Sequence, residues 1–178
     1  FRCLKSFSTV YIDVFEQYQR HSNRNRTTIL GANGNILLTV PIKKKSKTIM
    51  KDIKIANQEW QRKHIMSIQS AYGSAPFFIH YFEDIKKLIN SKCTYLLDLN
   101  NIIINYFINQ LDIGNPIKHT NRYHKLYPRN YMDFRDKINI TTHKTTYHQI
   151  FGEKFISNLS IIDLIFNLGP EAKKYINA

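Results

Sequence analysis

The stretch RNRTTILGANGNILLTVP, residues 24–41, decides how the chain is built. Two runs rich in β-branched and aliphatic residues, 26–31 and 35–41, flank Asn33-Gly34. Asn-Gly tolerates the backbone angles of a tight turn, so the stretch reads as a β-hairpin. Pro41 closes the second strand, because proline has no N–H for a ladder. Arg24 and Arg26 straddle Asn25 at the mouth of the hairpin. A guanidinium is a planar, permanently charged fork that suits phosphate or carboxylate. In a chain with more than twice as many lysines as arginines, two arginines in three positions are a candidate anion clamp. A surface ion pair is the competing reading.

Upstream, TVYIDVF at 9–15 reads as a buried strand. Downstream, the lysine-rich run KKKSK at 43–47 reads as a solvated loop. A helix is expected from near Asn57, a residue suited to N-caps. Trp60, His64, Ile68 and Ala71 or Tyr72 then share one face. Gly73 and Pro76 interrupt, and a second helix is expected over about 77–90. The third, near 95–112, is the clearest: Leu96, Leu99, Ile103, Ile104, Phe107, Ile108 and Leu111 form a wide apolar stripe. Asn100 points to the middle of that stripe, where an amide needs a hydrogen-bond partner. It is therefore either a structural hydrogen bonder or part of a site.

Residues 115–148 are polar, aperiodic and studded with tyrosine and histidine, and they end in a strand expected at 147–151, YHQIF. Asp133 and Arg135 in this region, with Gln149 on that strand, form a second polar group of candidate binding residues. Near the end, Ser160 and Asp163 have the spacing of a capping box, which gives Asp163 a structural role at a helix start. Helical structure is expected over 159–176, broken at Gly169-Pro170.

The chain has 178 residues, enough for one domain with a core, and is expected to form a single domain over 1–178. Its net charge is +13, from 26 Lys and Arg against 13 Asp and Glu. That balance raises nucleic acid or an anionic polymer as a partner. The abundance of Ile, Asn, Lys and Tyr matches AT-rich codon usage, which accumulates lysine without a partner, so nucleic acid is not the expected one. Cys3 and Cys93 form no metal or disulfide pattern, and no metal site or cofactor is expected. There is no phosphate-binding glycine loop, nucleophile elbow or His-Glu-x-x-His. No apolar run approaches the ~18 residues of a membrane span.

RNR at 24–26, ANG before LLTVP at 32–41, Trp60 followed by Lys63-His64, SAYGSAPFF at 70–78 and LLDLN at 96–100 recur in order with DFR at 133–135, YHQIF at 147–151 and NLSIIDLIFNLGPEA at 158–172. With them the sequence resembles the WbqC-like protein family in its Bacteroidetes form, over nearly its whole length. The family's usual opening is a strand, a Pro-containing loop and a helix, and FRCLKSF at 1–7 matches only the end of that helix. The resemblance thus implies residues upstream of Phe1. It also implies a bacterial cytoplasmic protein of O-antigen and surface-polysaccharide biosynthesis, acting as an aminoacyl-type transferase on nucleotide sugars or polysaccharide units. It supplies no catalytic residues to carry over.

The fold expected is α/β: a small mixed sheet from 9–15, 26–41 and 147–151, with helices packed around it. The chemistry expected is that of an enzyme acting on an anionic small molecule, a nucleotide sugar or activated donor. Arg24, Asn25 and Arg26 would grip the anion, and His64 would move a proton. Asn100 and Gln149 would orient the substrate. The alternative is a non-enzymatic module that binds nucleic acid or an anionic polymer through lysines and the tyrosine-rich segment.

Overall fold

The computed structural model describes residues 1–43, 48–57, 59–135 and 146–177. Most of the lysine-rich run, and His143 of the tyrosine-rich segment, lie outside the described residues. The chain is a mixed α/β protein. In order it forms α1 (Arg2–Ser6), β1 (Val10–Ile12), β2 (Arg26–Gly31), β3 (Gly34–Thr39), β4 (Ile42–Lys43), β5 (Lys54–Ile55), α2 (Trp60–Tyr72), α3 (Phe78–Ile89), α4 (Leu96–Leu111), β6 (Ile117–His119), α5 (Ile161–Leu168) and α6 (Ala172–Asn177).

The hairpin is present as read, with Arg26 opposite Thr39 and Gly31 opposite Gly34. Its turn is made by Ala32 and Asn33, and of the Asn33-Gly34 pair only Gly34 takes a positive φ, 103°. Ile29 and Leu38 lie on one face of the hairpin and are buried in the main core. Helix α2 crosses the hairpin. Near its start His64 meets the Thr39 carbonyl, and at its end the Tyr72 hydroxyl accepts from the Leu30 N–H at 3.1 Å. Helices α3, α4 and α5 complete the core, with Leu99, Phe107, Ile165 and Phe166 almost fully enclosed.

The strands form three separate two-stranded pairs among the described residues, not one sheet. β1 is shorter than expected and pairs in parallel with β6, from the segment read as aperiodic. Residues 147–151 form no strand, contrary to the sequence reading. The outer edge of β2 has no room for them: the Thr28 carbonyl already accepts from the Ser160 N–H, and the Leu30 N–H is held by Tyr72.

Helix α2 begins at Trp60 with Glu59, not Asn57, at the N-cap. The other helices lie close to the expected ranges. Gly169 ends α5 at φ 53°, and a Cβ there would stand 2.3 Å from the Phe77 ring. Glycine is required at that position twice, for backbone angle and for space. No helix among the described residues is long and apolar enough to cross a membrane.

Candidate functional site

Arg24 and Arg26 take different partners. Arg24 lies just before β2, and its side chain grips both carboxylate oxygens of Glu16, with Nε to Oε1 at 2.7 Å. Its Nη2 also donates to the Arg135 carbonyl at 3.2 Å. The two charges are only 15% and 13% exposed, so Arg24 is committed to a half-buried ion pair. Arg26 opens β2 and faces Thr39 across the ladder. Its Nη1 donates to Nδ1 of His21 at 3.1 Å, while its Nε is buried with no partner. A buried guanidinium N–H without an acceptor is costly in a folded protein unless a ligand supplies one.

Both arginines line a cleft of about 340 Å³, walled by the hairpin, α2, α3, α4 and the start of α5. Asn25, His64 and Asn100 line it too. Asn25 is buried and used at both ends: Oδ1 accepts from the Tyr18 hydroxyl at 2.7 Å, and Nδ2 donates to the Val40 carbonyl at 2.8 Å. It pins the mouth of the hairpin and offers a ligand little.

His64 stacks edge-on against Trp60, with ring centroids 5.1 Å apart. The Thr39 carbonyl lies 3.2 Å from its Nε2. Thr39 can accept there because its backbone faces away from β2. The neighbouring pair is the hydrogen-bonded one, with the Val40 N–H on the Asn25 carbonyl. A carbonyl only accepts, so Nε2 carries the proton and Nδ1 of the neutral ring keeps its lone pair. Burial pushes the His64 pKa below its usual value, partly offset by the Thr39 hydrogen bond. The neutral ring is thus favoured in the folded state, and the unfolded state binds the proton more readily. Stability from this site is fully present above the unfolded value near 6.5 and falls as pH drops from there through the folded value. Replacing His64 with phenylalanine should flatten the fall in melting temperature between pH 7 and pH 5, measured against wild type.

Asn100 is half-buried on α4, and its Nδ2 donates to the Arg24 carbonyl at 2.9 Å. The apolar register that singles it out also aims it at the hairpin mouth. Asn100→Leu should cost about 1–3 kcal/mol, because the Arg24 carbonyl is then left without its donor. Urea denaturation measures that loss.

Asp133 and Arg135 lie elsewhere, at a second cleft of about 520 Å³ beside β1. Arg135 donates to Asp13 Oδ2 at 3.0 Å, to both oxygens of Asp133, and to the carbonyls of His124 and Lys125. Tyr127 stacks on its guanidinium at 4.8 Å. The hydrogen bond from Arg135 holds the Asp133 carboxyl below the usual range. Two carboxylates share this one guanidinium, and the cluster fastens residues 120–135 to β1.

Gln149 belongs to a third place. It bridges the backbone of Ile156 through both amide atoms and donates to Asp163 Oδ2 at 3.0 Å. Asp163 is 1% exposed and also accepts from the Tyr72 and Tyr147 hydroxyls. This replaces the capping box expected from the sequence. Ser160 occupies the N-cap by its backbone but makes no side-chain cap. Burial, reinforced by the Asp163 charge, pushes both phenols well above their usual pKa. The signal was present in the sequence: Asp163 sits inside the apolar run IIDLIF, where a carboxylate is buried whichever way the helix turns.

The structure thus gathers His64, Asn100, Arg24, Asn25 and Arg26 at one cleft and places Asp133, Arg135 and Gln149 at other positions. Glu16 and Asp13, the anionic partners of Arg24 and Arg135, were not singled out by sequence reading. In comparisons with known proteins, the model of the WbqC-like protein family matches residues 5–138 and 127–175. No curated protein and no solved structure matches the chain.

Proposed function

Because the chain belongs to the WbqC-like protein family, we propose that it works in the biosynthesis of O-antigen or a related surface polysaccharide, as an aminoacyl-type transferase on a phosphate-bearing sugar substrate. The observation that carries this reading is the cleft that combines His64, neutral and with its tautomer fixed, with Arg26, whose buried Nε lacks an acceptor. Among the described residues that line the cleft, Arg24 is neutralised by Glu16 and Arg26 has no carboxylate partner. Arg26 is therefore the group to hold the anion, in place of a two-arginine clamp. His64 Nδ1 takes the proton from an acceptor hydroxyl or amine as that atom bonds to the activated acyl carbon. The bond from that carbon to the leaving group breaks, and the proton passes to the leaving group. Apolar walls with a few placed polar groups are what small-molecule sites have in common.

Arg26→Met should weaken binding of a nucleotide sugar about tenfold or more, the worth of a charge-assisted hydrogen bond. The melting temperature should hardly move, because no protein carboxylate loses its partner. Titration calorimetry beside thermal melts measures both. Unchanged affinity in the folded variant removes Arg26 from the site.

The binding-module reading draws on the net charge of +13 and on Tyr11, Tyr131 and Tyr127, whose rings meet in turn at tilted angles along the second cleft. Filter binding to single-stranded nucleic acid separates the two. Affinity that falls steeply with salt, together with indifference to nucleotide sugars, favours the module.

A further inference from the structure

The walls of the main cleft say what part of a substrate it can hold. They are mostly hydrocarbon, with Leu38, Trp60, Ile68, Leu88, Ile103 and Ile161 among them. Part of the polar remainder is spent within the protein, and Arg26 with the side chains of Asn23, Thr27 and Ser160 makes up the rest. Both ends of Asn25 are bonded, the Asn100 Nδ2 is on the Arg24 carbonyl, the Arg24 side chain is on Glu16, and His64 Nε2 is on Thr39. A sugar ring lodged here would lose the water bound to its hydroxyls and gain few hydrogen bonds in return. A hydrocarbon group would lose nothing of that kind and would gain by leaving water.

We propose that the cleft receives an apolar acyl or alkyl group, the part of the donor that is transferred. The anion held by Arg26 then stays at the rim formed by the start of β2. The positions of the two arginines agree with this division. Leu38 lies opposite Thr27 and shares its face, while Arg26 and Thr39 form the next pair along, on the other face of the hairpin. The cation thus belongs to the edge of the cleft and the aliphatic side chains to its body. The sugar and its hydroxyls remain outside, towards solvent. This inference rests on the reading of the cleft as the substrate site, and the test below separates the two.

The test is titration calorimetry of the unmodified chain with n-alkyl phosphates, from ethyl to decyl, each below its micelle concentration. UDP-glucose and inorganic phosphate serve as polar comparators. Affinity should rise about fourfold per added methylene and then level off when the cleft is full. Ile103→Trp and Leu88→Trp, each checked for a cooperative melt, should bring that plateau to a shorter chain while leaving ethyl phosphate unaffected. A flat series, with UDP-glucose bound in an Arg26-dependent way, overturns the inference and leaves the functional reading standing. A rising series that both tryptophan variants leave unchanged also overturns it, since the chain is then bound elsewhere. A rising series that the tryptophans shorten but Arg26→Met does not weaken supports the apolar cleft and removes Arg26 from the functional reading. No binding by any of these ligands overturns both.

Discussion

Replacing Asp163 with alanine is expected to lower stability by about 3–5 kcal/mol, a fall in melting temperature on the order of 10 °C. The carboxylate is 1% exposed and takes three side-chain donors, from Tyr72, Tyr147 and Gln149. Without it, two phenols and an amide are left buried with nothing to receive them, each at about 1–3 kcal/mol before relaxation. The loss also has a structural reach. Tyr72 holds the Leu30 N–H on the outer edge of β2, and Gln149 organises the 149–156 turn through Ile156. Asp163→Asn keeps an acceptor and should lose less than half as much. Tyr72→Phe should cost less again, because Tyr147 and Gln149 stay bonded. Denaturant melts of the three variants give the order. Equal losses for the asparagine and alanine variants would show that the carboxylate charge, not its hydrogen bonding, is what matters.

Replacing Arg135 with methionine is expected to cost about 3–5 kcal/mol, the range for breaking a buried ion pair on one side. Asp13 is 8% exposed and would keep its charge without its cation. The carbonyls of His124 and Lys125 would lose their donors as well. The variant should also respond differently to acid. Arg135 holds the Asp133 carboxyl below its ordinary value, so that contribution to stability is full above the unfolded value near 3.9 and is lost as pH falls through the folded value. Arg135→Met should therefore lose less stability than wild type between pH 5 and pH 3. The second cleft would open in this variant, and ligand binding at the first should persist, because Arg24, which lines it, meets Arg135 through the backbone carbonyl that methionine retains.

Periodicity was enough to place α2, α3 and α4 close to their observed ranges, because each buries one face against the core. The Asn-Gly pair was enough to place the hairpin. Asn100 could be picked out for the same reason as the helix that carries it: a polar residue on an apolar face must have a partner, and here the partner is the backbone of Arg24. What was not legible is what depends on distant partners. β1 finds β6 more than a hundred residues along the chain. Arg135 finds Asp13 across 122 positions, and nothing in either local sequence marks the other. YHQIF has strand-forming residues, but Ser160 and Tyr72 already take the outer edge of β2. Arg24 and Arg26 look alike in sequence, yet Glu16 takes one and leaves the other, and that choice is made only by the fold.

Under the proposed function, His64 stands in the cleft as a neutral base. Imidazole NMR of the ¹⁵N-histidine-labelled chain, recorded while a nucleotide sugar is added, reads this directly. At neutral pH the His64 ring should show the proton on Nε2 and a bare Nδ1. Its Nδ1 signal should move saturably with ligand, and Arg26→Met should shift that curve to about tenfold higher concentration or more. An imidazole that is protonated at neutral pH, or one that stays still while the ligand demonstrably binds, contradicts the account.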